Sequence, residues 1–87
     1  MYIIKVRDRT TATTRATMPE RVFRLIDWDT WKPCLFRYDT LEKALALCDR
    51  QQATPTRYGE IRDYRVFEKD GRKLKLVYEY IAGEEEE

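Results

Sequence analysis

The chain has 87 residues, 38% of them charged, with 17 Lys and Arg against 16 Asp and Glu and no histidine. A chain of this length builds one domain around one modest core. The side chain most often used for general acid–base work is absent. Two cysteines without a C-x-x-C pair supply neither a disulfide scaffold nor a zinc ligand set.

The formal charge of +1 hides an asymmetry. Glu84 to Glu87 form an acidic run after Gly83, and without them 17 basic residues face 12 acidic ones. Eleven of the basic residues are arginine, which favours planar, bidentate contacts with phosphate or carboxylate. No apolar run is long enough to span a bilayer. The opening MYIIKVRDRT reads as a strand followed by charges rather than a signal peptide. The expected location is therefore cytoplasmic.

Tyr2 to Arg7 reads as a strand, with Tyr2, Ile4 and Val6 on one face and Lys5 and Arg7 on the other. Arg9 to Thr17 carries five threonines and no large apolar residue, and reads as a solvated loop. Thr17, Pro19 and Glu20 have the spacing of a helix start. Met18, Val22, Leu25 and Ile26 follow with helical spacing. A helix from about Met18 to Asp27 is expected, with a strand over Arg21 to Asp27 as the competitor. Asp27 to Pro33 is a connector. Cys34 to Tyr38 reads as a short interior strand because of its apolar run.

Asp39 or Thr40 caps a second helix, Asp39 with Glu42 as a capping box. Leu41, Ala44, Leu45 and Cys48 make its apolar stripe, and it is expected to run to about Gln51. Cys34 and Cys48 are expected as buried free thiols, since free cysteine packs as a small hydrophobe; a structural disulfide is the alternative. Ala53 to Glu60 is a linking loop.

Ile61 to Tyr80 reads as a β-hairpin with Asp70-Gly71 as its two-residue loop. That loop sets Glu68 against Lys73, Phe67 against Leu74, Tyr64 against Val77 and Arg62 against Glu79. One face then collects Ile61, Phe67, Leu74, Leu76, Tyr78 and Tyr80, with Asp63 and Arg65 among them. This is the face expected to lie under the helices. Tyr64, Arg62, Lys73 and Lys75 are expected on the open side.

The expected fold class is α+β: a small two-layer sandwich in β-α-β-α-β-β order, helices on one face of a mostly antiparallel four-stranded sheet with a C-terminal hairpin. A single domain spans residues 1–82 and a disordered acidic tail spans 83–87.

Catalysis finds little support. Asp27, Asp29 and Asp39 lie close in sequence, but they are better explained as turn and cap residues. Neither cysteine has an obvious base beside it. No phosphate-loop, dinucleotide or metalloprotease pattern occurs. No enzyme activity, cofactor or metal is expected.

Protein binding is the leading expectation. Asp27, Trp28, Asp29 and Trp31 place two tryptophans among acids in a connector, and Arg57 with Tyr58 forms a weaker second candidate. Tryptophan, tyrosine and arginine dominate interface hot spots. The competing reading has one or both tryptophans capping the small core. The alternative function is nucleic-acid binding through Lys5, Arg7, Arg9, Arg15, Arg21 and Arg24. Aromatic side chains for stacking are at hand in Tyr2, Trp28, Trp31, Tyr58 and Tyr64.

In size and texture the chain resembles the small accessory proteins of phages and mobile elements, a group that includes anti-CRISPR inhibitors. The resemblance carries over no functional residue. It implies a protein that works by occupying another molecule, as an inhibitor or an adaptor.

Overall fold

The computed structural model describes residues 1–54 and 56–82. The tail expected over 83–87 lies outside them, as does Pro55 of the linking loop. The elements in chain order are β1 (Tyr2–Arg9), α1 (Ala12–Thr17), α2 (Glu20–Phe23), β2 (Lys32–Tyr38), α3 (Leu41–Ala53), β3 (Ile61–Asp70) and β4 (Lys73–Tyr80). The four strands form one antiparallel sheet in the order β2-β1-β3-β4. Helix α3 lies against β1, β2 and β3, and among the described residues it is the one helix that does. The chain is an α+β domain of two layers.

Alternation along β1 puts Tyr2, Ile4 and Val6 under α3. Ile4, Val66, Tyr64, Ala44 and Cys48 form the buried centre. Thr40 caps α3, its hydroxyl accepting from the Lys43 N–H at 3.3 Å. Asp39 does not cap; it pairs with Lys43 at 3.2 Å instead. The expected stripe of Leu41, Ala44, Leu45 and Cys48 packs on the sheet, and Leu47 joins it.

Cys34 and Cys48 are free thiols, the first half-buried and the second buried. Burial pushes the Cys48 thiol up to about 11.

Three segments differ from the sequence reading. The threonine-rich loop is a helix. Thr11 and Thr14 cap α1 reciprocally through side chain and backbone, and Thr14 is fully buried. The Thr11 hydroxyl also donates to the Gly59 carbonyl at 3.0 Å. Threonine suits this place because its hydroxyl satisfies a helix end while its methyl packs.

The helix expected from Met18 to Asp27 is helical only over Glu20–Phe23, followed by looser turns. Thr17 belongs to α1, and Pro19 stands at the cap position without a side-chain hydrogen bond. The Trp28 indole N–H takes the Phe23 carbonyl at 3.0 Å, ending the helix there. Leu25 is left 82% exposed.

Strand β2, expected in the interior, lies at the edge of the sheet. Pro33 lacks the N–H that an interior strand must donate, which confines it to an edge.

The hairpin forms, with a different corner. Asp70 faces Lys73, so Gly71-Arg72 is the loop, and only Gly71 (φ 62°) takes a positive φ. An Asp70-Gly71 loop would ask for positive φ at aspartate as well. It would also set Lys69 against Arg72, whereas the observed corner sets Asp70 against Lys73. This two-residue change leaves the faces as they were.

A bulge then changes them. Phe67 faces Leu76, but Val66 faces Tyr78, so Val77 is the extra residue. Beyond it Tyr78 and Tyr80 turn to the helix side beside Val66 and Tyr64. Leu74 and Leu76 stay on the other side with Phe67, 44% and 47% exposed. The face expected to be covered is therefore divided: Phe67, Leu74 and Leu76 are on the open side, Tyr78 and Tyr80 lie on the helix side as expected, and Tyr64, expected outside, is buried.

Gly59 tests how tightly α1 is docked. Its φ is 73°, and an added Cβ would sit 3.1 Å from the Thr13 side chain. Gly59→Ala is expected to cost about 1–3 kcal/mol through backbone strain and crowding, read as a lower urea midpoint at unchanged slope.

Candidate functional site

The face of the sheet away from α3 is built by direct pairing across the strands. Ile3, Lys5, Arg7 and Arg9 of β1 face Phe67, Arg65, Asp63 and Ile61 of β3. On the far sides, Arg37 of β2 faces Ile3, Glu79 of β4 faces Arg65, and Leu76 faces Phe67. Trp31 precedes β2 at the level of Arg7. The face therefore has a cationic and aromatic end near Arg9 and an apolar end near Leu74.

At the cationic end Asp63 is buried although it lies on the open side, because its partners roof it. Arg7 Nε donates to Oδ2 at 2.8 Å, and Arg9 Nη2 donates to Oδ1 at 2.8 Å. The Ala82 N–H donates to Oδ1 at 2.9 Å, and Arg9 also donates to the Ala82 carbonyl. Burial alone would raise the Asp63 carboxyl, but the hydrogen bonds from Arg9, Ala82 and Arg7 outweigh it and hold it below the ordinary value of 3.8.

Trp31 packs against two guanidiniums. Arg65 Cζ lies 4.2 Å and Arg7 Cζ 4.8 Å from its ring centre. Arg65 is held in turn by Glu79, Nε to Oε2 at 2.6 Å. Lys5 Nζ sits 5.3 Å from the Phe67 ring centre. Among the described residues, Lys5, Arg7, Arg9, Arg37, Arg65 and Lys69 thus share a face with two carboxylates, Asp63 and Glu79.

The sequence-predicted protein site divides. Trp28 is a half-buried strut: its ring lies tilted against Phe23, centres 5.1 Å apart, and its backbone bridges to Asp8 of β1. Asp29 takes φ 61° and donates its N–H to the Asp8 carbonyl at 2.8 Å. Aspartate tolerates that conformation better than most residues. Asp27 is exposed in the same connector. Trp31 alone reaches the open sheet face. Arg57 stacks on Tyr58 at 5.5 Å in the other loop, and the Tyr58 N–H is taken by Glu60.

The alternative set also divides. Lys5, Arg7 and Arg9 line up on β1. Arg15 is tied to Thr10, Arg24 to Glu20 and Arg21 is exposed, all outside the sheet. The platform expected around Arg62 and Tyr64 does not form. Tyr64 lies under α3, and Arg62 pairs with Asp8 at 2.9 Å.

Ile3, Arg37, Asp63, Arg65, Phe67, Lys69, Leu74, Leu76 and Glu79 are members of one open face that the sequence alone does not assemble. A signal for part of it was present. Asp63 in the middle of an oily strand needed cations opposite, and β1 carries two at that spacing.

Among the described residues no group of three or more cysteine and carboxylate side chains could hold a metal ion. No described helix is long and apolar enough to cross a membrane. The chain matches no protein-family model, no curated protein and no solved structure.

The Asp63 clamp sets an acid limit on stability. A carboxyl held below its unfolded value stabilises the fold above that value and loses the contribution as pH falls through the folded one. Stability is thus expected to drop as pH falls below about 4, the range where unfolded aspartate takes up its proton. Asp63→Asn should cost about 2–3 kcal/mol near neutral pH, less than a fully buried pair because both arginines keep some water. It should also flatten the acid limb of a urea titration between pH 2 and 5.

Proposed function

We propose that the protein is a non-enzymatic binding module whose open sheet face receives another protein, one that presents carboxylates around an apolar centre. The observation that carries this reading is the pairing of half-exposed Leu74 and Leu76 with Phe67 on an uncovered sheet face, next to Trp31 under two guanidiniums. Half-exposed aliphatic side chains beside aromatic and arginine anchors are what a partner can bury at the centre of an interface. The surrounding cations choose the sign of its rim. Such a module acts by occupying its partner, as an inhibitor or as an adaptor.

A second reading has its own support. Lys5, Arg7 and Arg9 stand in a row beside Trp31, which is the arrangement of a single-strand platform. Two features weigh against it. Arg7, Arg9 and Arg65 already spend donors on Asp63 and Glu79. Leucines offer a base no ring to stack on.

Affinity capture from the native host, with the partner identified and then purified, tests the proposal. Leu74→Ser with Leu76→Ser, or Trp31→Ala alone, should weaken the purified partner by roughly 30-fold or more, the size of a hot-spot loss. Unchanged affinity in variants that keep the wild-type urea midpoint would remove this face as the site. Tight binding to oligothymidine at low salt, falling steeply as salt rises, would favour the nucleic-acid reading instead.

A further inference from the structure

We infer that the cavity between α3 and the helix side of β1, β2 and β3 binds a small aromatic carboxylate. The ring would lie among Ile4, Val6, Cys34 and Leu47, and the carboxylate would meet Lys32, Arg62 and the Tyr64 hydroxyl. The site is on the opposite side of the sheet from the face proposed for a partner, and neither reading depends on the other.

The cavity follows from the strand register. Val6 is paired with Lys32 on one side and with Tyr64 on the other, and Asp8 is paired with Arg62. Alternation turns these side chains, with Ile4 and Cys34, toward the helix. Leu47 and Gln51, one turn apart on α3, bound the cavity from the helix. Its volume is about 260 Å³. A cavity of roughly 150 Å³ holds a benzene ring, so this one takes about 10 non-hydrogen atoms. Apolar walls with a few convergent polar groups are the usual make-up of a small-ligand site.

The polar groups agree on the sign of the ligand. Tyr64 is 2% exposed, and its hydroxyl is shut off from solvent and makes no hydrogen bond. Burial pushes the phenol up, so at neutral pH it keeps its proton and can donate. A buried donor left unpaired destabilises the fold, and a ligand oxygen that accepts from it recovers that loss. At the mouth, Lys32 and Arg62 both turn to Asp8, their side chains 36% and 41% exposed. Lys32 stands 3.8 Å from that carboxylate, beyond hydrogen-bond distance. Arg62 gives its Nε–H to Asp8 at 2.9 Å and reaches Gln51 only at 3.5 Å, a contact long enough to give way to a ligand. Two cations and one orphaned donor against a single carboxylate select an anionic oxygen. A ligand carboxylate has lone pairs for all three donors.

The test titrates the chain at neutral pH with phenylpropanoate, phenylpropanol and phenylpropylamine in turn, reading side-chain methyl resonances. The three probes share an apolar body and differ in the charge of the head. Phenylpropanoate is expected to shift the Ile4, Val6 and Leu47 methyls saturably, with a Kd on the order of 1 mM for a ligand of its size. The Leu74 and Leu76 methyls on the open face should stay still. The amine should bind at least about 10-fold more weakly, since it meets Lys32 and Arg62 as a like charge. Tyr64→Phe removes the hydroxyl alone and should weaken phenylpropanoate roughly 5–10-fold. Its urea midpoint should hold or rise, because the hydroxyl has no partner to lose. Lys32→Met should bring the carboxylate and the alcohol to nearly equal affinity. The inference is overturned by any of three results: no saturable shift of these methyls up to about 20 mM, a carboxylate that binds no tighter than the amine, or an affinity untouched by Tyr64→Phe.

Discussion

The extra residue at Val77 decides what the two sides of this sheet are. A strand with strict alternation would send Leu74, Leu76, Tyr78 and Tyr80 to one side. By taking Val77 out of register, the bulge divides that set. The tyrosines go to the core beside Val66 and Tyr64, and the leucines stay outside beside Phe67. A single helix over three strands cannot bury two oily faces. The bulge resolves the conflict by giving α3 the larger side chains and leaving the smaller ones to whatever meets the sheet from the other side.

The order of elements and the class of fold were legible because they rest on strong periodic signals. The alternation of β1, the i, i+3, i+4, i+7 stripe of α3 and a glycine-containing corner between two apolar runs each point one way. The shorter elements were not, and for identifiable reasons. α1 has no apolar stripe; its stability comes from hydroxyls that cap one end and reach Gly59. α2 stops early because a tryptophan five residues on captures its Phe23 carbonyl, an event with no local pattern. Pro33 did carry a message about β2, and the apolar letters around it outweighed that message in the reading.

The site was legible only in pieces. Trp31, Lys5, Arg7 and Arg9 were singled out, but as members of different sets. What joins them is pairing between β1 and β3, which are more than fifty residues apart in sequence. Once β1 is taken as the central strand, its polar side must meet the polar positions of β3. Asp63 then falls opposite Arg7, and Arg65 opposite Lys5. Within the hairpin alone, Asp63 and Arg65 interrupt an oily face; beside β1 they are counterparts to another strand.

The placement of β1 in the middle of the sheet also bears on how the chain comes to be folded. Strand β1 has its two neighbours at residues 32–38 and 61–70, and the clamp on Asp63 needs Ala82 as well. While the chain is being synthesised, Tyr2, Ile4 and Val6 have no β3 to lie beside until residues 61–70 have emerged. Closure depends on contacts distant in sequence, which makes assembly slow for the size of the domain. During that wait an oily strand with its β3 edge bare is on display, and the lysine and arginines interleaved along it keep it from pairing with its like.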